Sequence, residues 1–299
     1  MRRYIARRLA LTLPVIFAVT VLVFLMLAAV PGDPALAILG PYATPEALTR
    51  LRAEMGLDRP LVHQYFIWLG RIMGGDFGFA YSIDRPVIDE VADRLGPTLL
   101  LATAAFVISA VCGIAAGLIA AVRQFSTTDR LLTTAVLLGI SVPPFWLAMM
   151  LILVFAVATG WFPVSGMYAA YGGGGPGDLL RHLVLPAVAL AAVPMGVIGR
   201  LTRSFALDVL RQEHVSGARA GGLREDAVIR DHVMRNTLVP LLPVLALQAG
   251  FLLGGSAYIE TVFQWPGLGW MLVQAIAARD ILGGDGDWRG CAEEVAAAG

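Results

Sequence analysis

The side chains that could carry out chemistry are few in this sequence and widely separated. A P-loop needs a lysine that reaches the terminal phosphates, and all 22 basic residues of this chain are arginine. The four histidines, His63, His182, His214 and His232, do not form the paired helical spacing of a zinc hydrolase. We therefore predict no catalytic residue, no metal site and no bound cofactor, and we exclude ATP hydrolysis through a P-loop.

The composition instead indicates a membrane protein. The chain has 299 residues, of which 58% are hydrophobic and only 15% charged, whereas about a quarter of a soluble domain is charged. The apolar residues form long blocks, and about 20 of them are needed to cross a bilayer as a helix. We predict an all-α polytopic protein with five spans, at residues 9–30, 98–122, 131–157, 183–199 and 237–258.

The distribution of arginine predicts the orientation of these spans. The segments 1–8, 123–130 and 200–236 together have 53 residues and contain 13 of the 22 arginines. Because cytoplasmic loops are enriched in basic residues, these segments are expected inside, with a cytoplasmic N-terminus and an outer segment at 31–96. A cleaved signal peptide is the alternative for residues 1–30, but the apolar run is longer than such peptides have.

Proline is frequent in or beside the spans, and ionisable side chains are absent from their interiors. Prolines within helices are either packing kinks or the mark of a pathway lined by broken helices. An ion-coupled carrier or channel is therefore a rival function. Proton-driven carriers usually need ionisable groups within the membrane, so their absence favours a conduit that is powered by another protein.

Two short helices are predicted outside the spans. In the outer segment, Thr44 suits an N-cap, Pro45 the first helical position, and Gly56 the end of a helix from Thr44 to Met55. In the inner segment 200–236, residues 212–220 favour a helix that ends at Gly221 and Gly222. The inner helix could enter a groove of a partner, or the segment could be a solvated loop that only sets topology.

A resemblance to a known family favours the first alternative. Residues 213–223 (EHVSGARAGGL) resemble the conserved-loop pattern of permeases from ATP-binding cassette (ABC) importers, with an acid, two alanines and a glycine in order. Further stretches resemble the B-type subunits of dipeptide, oligopeptide and nickel importers. These are residues 2–8, 31–34 (PGDP), 75–78 (GDFG), 129–130, 141–145 (SVPPF) and 260–269 (ETVFQWPGLG).

The resemblance implies a type I ABC importer permease, which is a non-catalytic inner-membrane subunit. It implies a second permease subunit, two ATPase subunits beneath them, an extracytoplasmic substrate-binding protein above, and surrounding lipid, with no nucleic acid. The loop helix would seat on the ATPase through positions that match Glu213, Ala218, Arg219, Ala220 and Gly222. The substrate class would be dipeptides, oligopeptides or a related small solute such as nickel or glutathione, and no substrate-contacting residue is implied.

The end of the sequence departs from the family pattern. The permease domain is predicted to extend over residues 9–280, and the family has a sixth span after that point. Residues 281–299 contain five charged side chains and no apolar run of adequate length, so they form an atypical tail. We expect the sixth span to be missing here.

Overall fold

The computed structural model is largely helical and describes residues 2–29, 35, 39, 43–54, 56–80, 85–169, 171 and 173–278. The prediction of a mostly helical fold is confirmed for these residues, which also include one short β-hairpin. The helices are α1 (Arg2–Ala28), α2 (Pro45–Glu54), α3 (Leu61–Met73), α4 (Val87–Val122), α5 (Thr127–Ser141), α6 (Pro144–Leu151), α7 (Pro176–Leu210), α8 (Glu213–Ala220), α9 (Glu225–Ala227), α10 (Arg235–Phe263) and α11 (Leu268–Ala278). The chain divides into two units, residues 1–92 with 274–299, and residues 93–273.

The first unit contains α1 to α3 and a small hairpin. The predicted outer helix is confirmed as α2, where the Thr44 hydroxyl accepts a hydrogen bond from the Ala47 amide. Aromatic side chains join α1 to α3: the Phe24 ring meets that of Tyr65 edge to face, 5.5 Å between centroids, and the Tyr65 hydroxyl lies 2.9 Å from that of Thr20. Strands β1 (Phe79–Ala80) and β2 (Arg85–Pro86) pair antiparallel, with Phe79 opposite Pro86.

The second unit is built around α7. Helices α5, α6 and α10 all pack against it, and 67% of its most apolar stretch is buried. Only 11% of the corresponding stretch in α10 is buried, so most of that helix is exposed. A π-helix, Val228–Met234, joins α9 to α10, so the chain is helical throughout Glu225–Phe263.

The predicted span at 131–157 is not one straight helix. Helix α5 ends at Ser141, and the chain resumes as α6, which a π-helix (Ile152–Ala158) extends; the two halves are bent by 106°. Residues before proline avoid the helical conformation, and Val142, which precedes Pro143, is extended with ψ of 126°. The Pro143–Pro144 pair therefore turns the chain within an apolar segment.

The predicted number of five spans is not confirmed. Among the described residues, three helices are long and apolar enough to cross a membrane, or four if the bent pair counts as one span. The apolar part of α1 is shorter, Ala10–Met26. Helix α7 continues to Leu210, past the predicted span end at residue 199, so the inner segment is mostly helical. The atypical tail, 281–299, lies outside the described residues.

Close contact between α4 and α7 depends on glycine. A Cβ atom at Gly117 would collide with the Gly199 carbonyl and would lie 2.7 Å from the Thr202 Cβ, whereas a Cβ atom at Gly250, inside α10, would meet nothing within 4 Å. Replacement of glycine by alanine within a helix ordinarily stabilises it by about 1 kcal/mol. We therefore expect Gly250→Ala to raise the melting temperature of the detergent-solubilised protein and Gly117→Ala to lower it. Equal shifts of one sign would contradict this close contact.

Candidate coupling site

The candidate site is α8, the short helix between the two long helical segments of the second unit. The Gln212 carbonyl accepts hydrogen bonds from the amides of Val215 and Ser216 and so starts the helix. At the other end, the Gly222 amide donates to the Arg219 carbonyl and the Leu223 amide to the Ala218 carbonyl, which is a Schellman motif. This motif requires a left-handed residue, and Gly222 fills that position with φ of 82°.

One side chain fixes α8 to the helices above it. Val215 is fully buried in an apolar cluster, between Ala206 and Val209 from the end of α7 and Val228 and Val233 from the start of the next helical segment. Full burial of a valine stabilises by about 1.5 kcal/mol or more. Because this cluster contains residues of α8 and of both flanking segments, α8 is held directly to each of them.

The remaining predicted site residues lie around this anchor. Glu213 and Ala220 are exposed, and Ala218 is half-buried against the cluster that contains Val215. Arg219 is exposed and paired with Glu225: its Nε donates to one carboxylate oxygen at 3.1 Å and its Nη2 to the other at 2.6 Å. This hydrogen bonding raises the pKa of Arg219 further, so the side chain stays charged. The pair ties the end of α8 to α9.

A second contact fixes the turn between α4 and α5 to α7. Arg203 donates from Nε to Asp129 Oδ1 at 2.7 Å and from Nη2 to Oδ2 at 2.8 Å. The same carboxylate, which is buried, also accepts from the Thr133 hydroxyl and the Phe125 amide. All of its hydrogen-bonding capacity at this turn is thus used within the fold. Two-point pairing with arginine is strong and directional.

A third contact closes the opposite end of the unit. The fully buried carboxylate of Glu260 accepts from the Thr98 hydroxyl at 2.9 Å and from the amides of Gly269 and Trp270 at 2.7 and 3.0 Å. It therefore caps the first turn of α11, where unpaired amides carry a partial positive charge. The Trp265 indole donates to the Pro97 carbonyl at 3.0 Å, which adds a second link to α4.

Sequence reasoning missed the roles of Arg203, Asp129 and Glu260. Asp129 and Glu260 lie in segments of the family resemblance, but the resemblance did not say what they contact. The available signal was the occurrence of an isolated carboxylate at the edge of a predicted span, where an unpaired charge would be costly. In the part of the chain that the structure describes, no group of three or more histidine, cysteine, aspartate or glutamate residues could hold a metal ion.

Several long apolar helices, together with the short polar helix α8 between two of them, are typical of an integral membrane protein. The profile of the family described as "Binding-protein-dependent transport system inner membrane component" matches residues 113–286, and that of its N-terminal part matches residues 1–102. The chain belongs to this family and is a permease component of an ABC transporter in the inner membrane. The predicted family resemblance is confirmed.

Individual relatives support the assignment. The glutathione transport system permease protein GsiC of Escherichia coli (strain K12) is 42% identical over 280 residues, which are 94% of this chain and 88% of the relative. The protein of the same name from Shigella boydii serotype 4 (strain Sb227) is 41% identical over the same coverage. A solved structure of inward-facing conformations of the MetNI methionine ABC transporter matches 65% of this chain and 87% of its own, with a TM-score of 0.52 at 17% identity, and supports the fold alone.

Proposed function

We propose that this permease takes up glutathione or short peptides and that α8 seats on a separate ATPase at the cytoplasmic face. The observation that carries this proposal is the burial of Val215 between the two helical segments that flank α8. A helix anchored in this way must move together with α7 and α10. Closure of the ATPase subunits would therefore displace both membrane helices and change access to the pathway.

The exposed residues of α8 and its neighbours supply the contact surface in this proposal. Glu213, Arg219 and Ala220 are exposed, and Gly222 shapes the turn that follows. Ala218 is half-buried, so it serves as part of the anchor more than as a contact. The N-terminus is placed in the cytoplasm because of the arginine distribution, which puts α8 on the same side.

A second permease subunit is proposed to cover α10. Large apolar side chains are exposed around much of this helix, among them Val239, Leu242, Leu247, Phe251 and Tyr258, the last of these 72% exposed. In a membrane such a surface contacts lipid or another helix. Two permeases packed through α10 would enclose a pathway between them, with two ATPase subunits on one side and a substrate-binding protein on the other.

The substrate proposal depends on the relatives. A permease 42% identical over nearly the whole chain is named for glutathione transport, and glutathione is a tripeptide. Dipeptides, oligopeptides and nickel are the other solutes to compare. ATP-dependent uptake of labelled glutathione, a dipeptide and nickel by vesicles that contain the complete transporter would rank them. Uptake by vesicles that contain this chain alone would instead support the carrier or channel alternative.

The docking proposal is tested by crosslinking from α8. In a variant whose Cys112 and Cys291 are replaced by serine, a cysteine is introduced at Ala220, which is exposed and lies at the end of α8. We expect a short bifunctional reagent to join Ala220→Cys to the ATPase within the assembled transporter. Tyr171→Cys is the control, because Tyr171 is 96% exposed and precedes α7, at the opposite end of that helix from α8. Absence of a crosslink at Ala220, or equal crosslinking at both positions, would overturn the proposal.

A further inference from the structure

A cavity of about 470 Å³ lies between α4, α5 and α7, toward the end of the second unit that carries α8. Its walls come from the last third of α4, the middle of α5 and the last third of α7. None of the contacts described for α8 uses this space. The cavity is large enough for a phospholipid headgroup and the beginning of its acyl chains.

One wall of the cavity is basic. Arg200, Arg203, Ser204 and Arg211 line it from a single face of α7, because their spacing of three, four and eleven residues returns to the same side of a helix. Arg203 donates to Asp129 from Nε and Nη2, so its Nη1 can donate to another acceptor. Arg200 and Arg211 form no ion pair within the described part of the chain.

The charge of this wall is positive overall. Asp208 is its one acidic residue, against three arginines, and Asp129 offsets the charge of Arg203. Arg200 and Ser204 are one turn apart, so a guanidinium and a hydroxyl point along the same side of α7. Together they supply the donors that a phosphate group needs.

The other walls are apolar. Leu132, Val136 and Leu137 line the cavity from α5, and Ala116 and Ala120 line it from α4. Leu137 is also 46% exposed, and the neighbouring Leu138 is 58% exposed, so the apolar wall continues onto the outer surface of α5. In a membrane this surface faces acyl chains, and the cavity therefore opens toward lipid.

The cavity also lies at the depth where headgroups meet acyl chains. Arg200 is the first polar residue after the apolar run that ends at Gly199, and Leu132 is at the start of the apolar run of α5. Basic pockets of this kind between membrane helices bind anionic headgroups. We propose that the cavity binds one anionic phospholipid, with its phosphate at Arg200, Ser204 and Nη1 of Arg203 and its acyl chains along α5. A free phosphate would leave the apolar walls unfilled.

The test uses the complete transporter, purified in mild detergent, with bound lipid counted by mass spectrometry. We expect wild type to retain phosphatidylglycerol in preference to phosphatidylcholine, and Arg200→Gln to retain at least about tenfold less, since a charged hydrogen bond contributes about 1.5 kcal/mol or more. Arg200→Lys should keep most of the binding. Arg181→Gln is the matched control, because Arg181 is an exposed arginine at the other end of α7. Equal retention in Arg200→Gln and wild type, or an equal loss in Arg181→Gln, would overturn the proposal.

A second measurement does not depend on any variant. Delipidated wild-type transporter is titrated with phosphatidylglycerol, phosphatidylcholine or inorganic phosphate while its melting temperature is followed. Only phosphatidylglycerol should raise it at micromolar concentration. An equal rise with phosphatidylcholine would show that charge is not recognised, and a rise with phosphate alone would show a soluble anion site. A rise with glutathione, titrated in the same way, would assign the cavity to the pathway and would overturn the proposal.

Discussion

Replacement of Glu260 by alanine is expected to destabilise the second unit more than any other single loss of a side chain described above. The change removes the acceptor of the buried Thr98 hydroxyl and of the half-buried amides of Gly269 and Trp270. An unsatisfied buried donor costs about 1 kcal/mol or more and a half-buried one costs less, so the three together cost about 2 kcal/mol or more. We expect the melting temperature of the solubilised transporter to fall by several degrees and the yield of assembled protein to drop.

The matched control is Glu46→Ala, which removes an exposed carboxylate from the first turn of α2. Its effect should be below about 1 kcal/mol, because charges at exposed helix ends contribute only tenths. Glu260→Gln tests the charge separately from the shape of the side chain. The glutamine keeps one oxygen that can accept a hydrogen bond, but its NH2 group replaces the other oxygen and cannot accept from Thr98 or from the backbone amides. It should be intermediate between wild type and Glu260→Ala. Comparable stability of all three variants would contradict the role of Glu260 as a cap for α11.

Disruption of the Asp129–Arg203 pair is the second large effect that we expect. In Arg203→Gln the buried carboxylate loses its two strongest donors, which costs about 3 kcal/mol for a buried pair. Arg203→Lys keeps the charge but cannot donate from two nitrogens in a fixed plane, so it should fall between Arg203→Gln and wild type. Melting temperature and ATP-dependent uptake would both be measured.

A double-mutant cycle with Asp129→Asn isolates the pair from its surroundings. The combined variant should lose less stability than the sum of the two single changes, by about 1 kcal/mol or more, because neither residue then remains as an unpaired buried charge. The cycle is informative because the residues are 74 positions apart in sequence. Strict additivity would mean that the two groups stabilise the fold independently.

The elements that could be predicted from the sequence are those that depend on local patterns. Helix α2 follows from Thr44, Pro45 and Gly56, and the end of α8 follows from Gly221 and Gly222, because capping and left-handed turns restrict residue type within a few positions. Likewise, the apolar blocks place the long helices. The ends of those helices were less accurate, since α7 continues past the apolar run into a segment of mixed polarity, in which Ala206 and Val209 pack in the same cluster as Val215 of α8.

The contacts that hold the unit together could not be predicted in the same way. Glu260 meets Thr98 across 162 positions of sequence, and no local spacing connects them. Val215 appeared as one of several apolar residues in a polar segment, and only the fold reveals that it is fully buried while its neighbours are exposed. The sequence predicted a single span over residues 131–157, whereas the chain bends by 106° between α5 and α6, and both of these helices pack on α7.

The unbroken helical segment Glu225–Phe263 has a mechanical consequence. At 1.5 Å per residue its 39 residues extend for nearly 60 Å, with the Arg219 contact near one end and the Glu260 cap near the other. Pro240 and Pro243 lie inside α10, and each removes a hydrogen bond of the helix. The segment therefore bends most easily at these two residues. A rotation of 10° about Pro240 would move Glu260 by about 5 Å, since about 30 Å of helix separate these two residues. If α8 seats on an ATPase as we propose, a small displacement of α8 would therefore move the opposite end of this helical segment by several ångström.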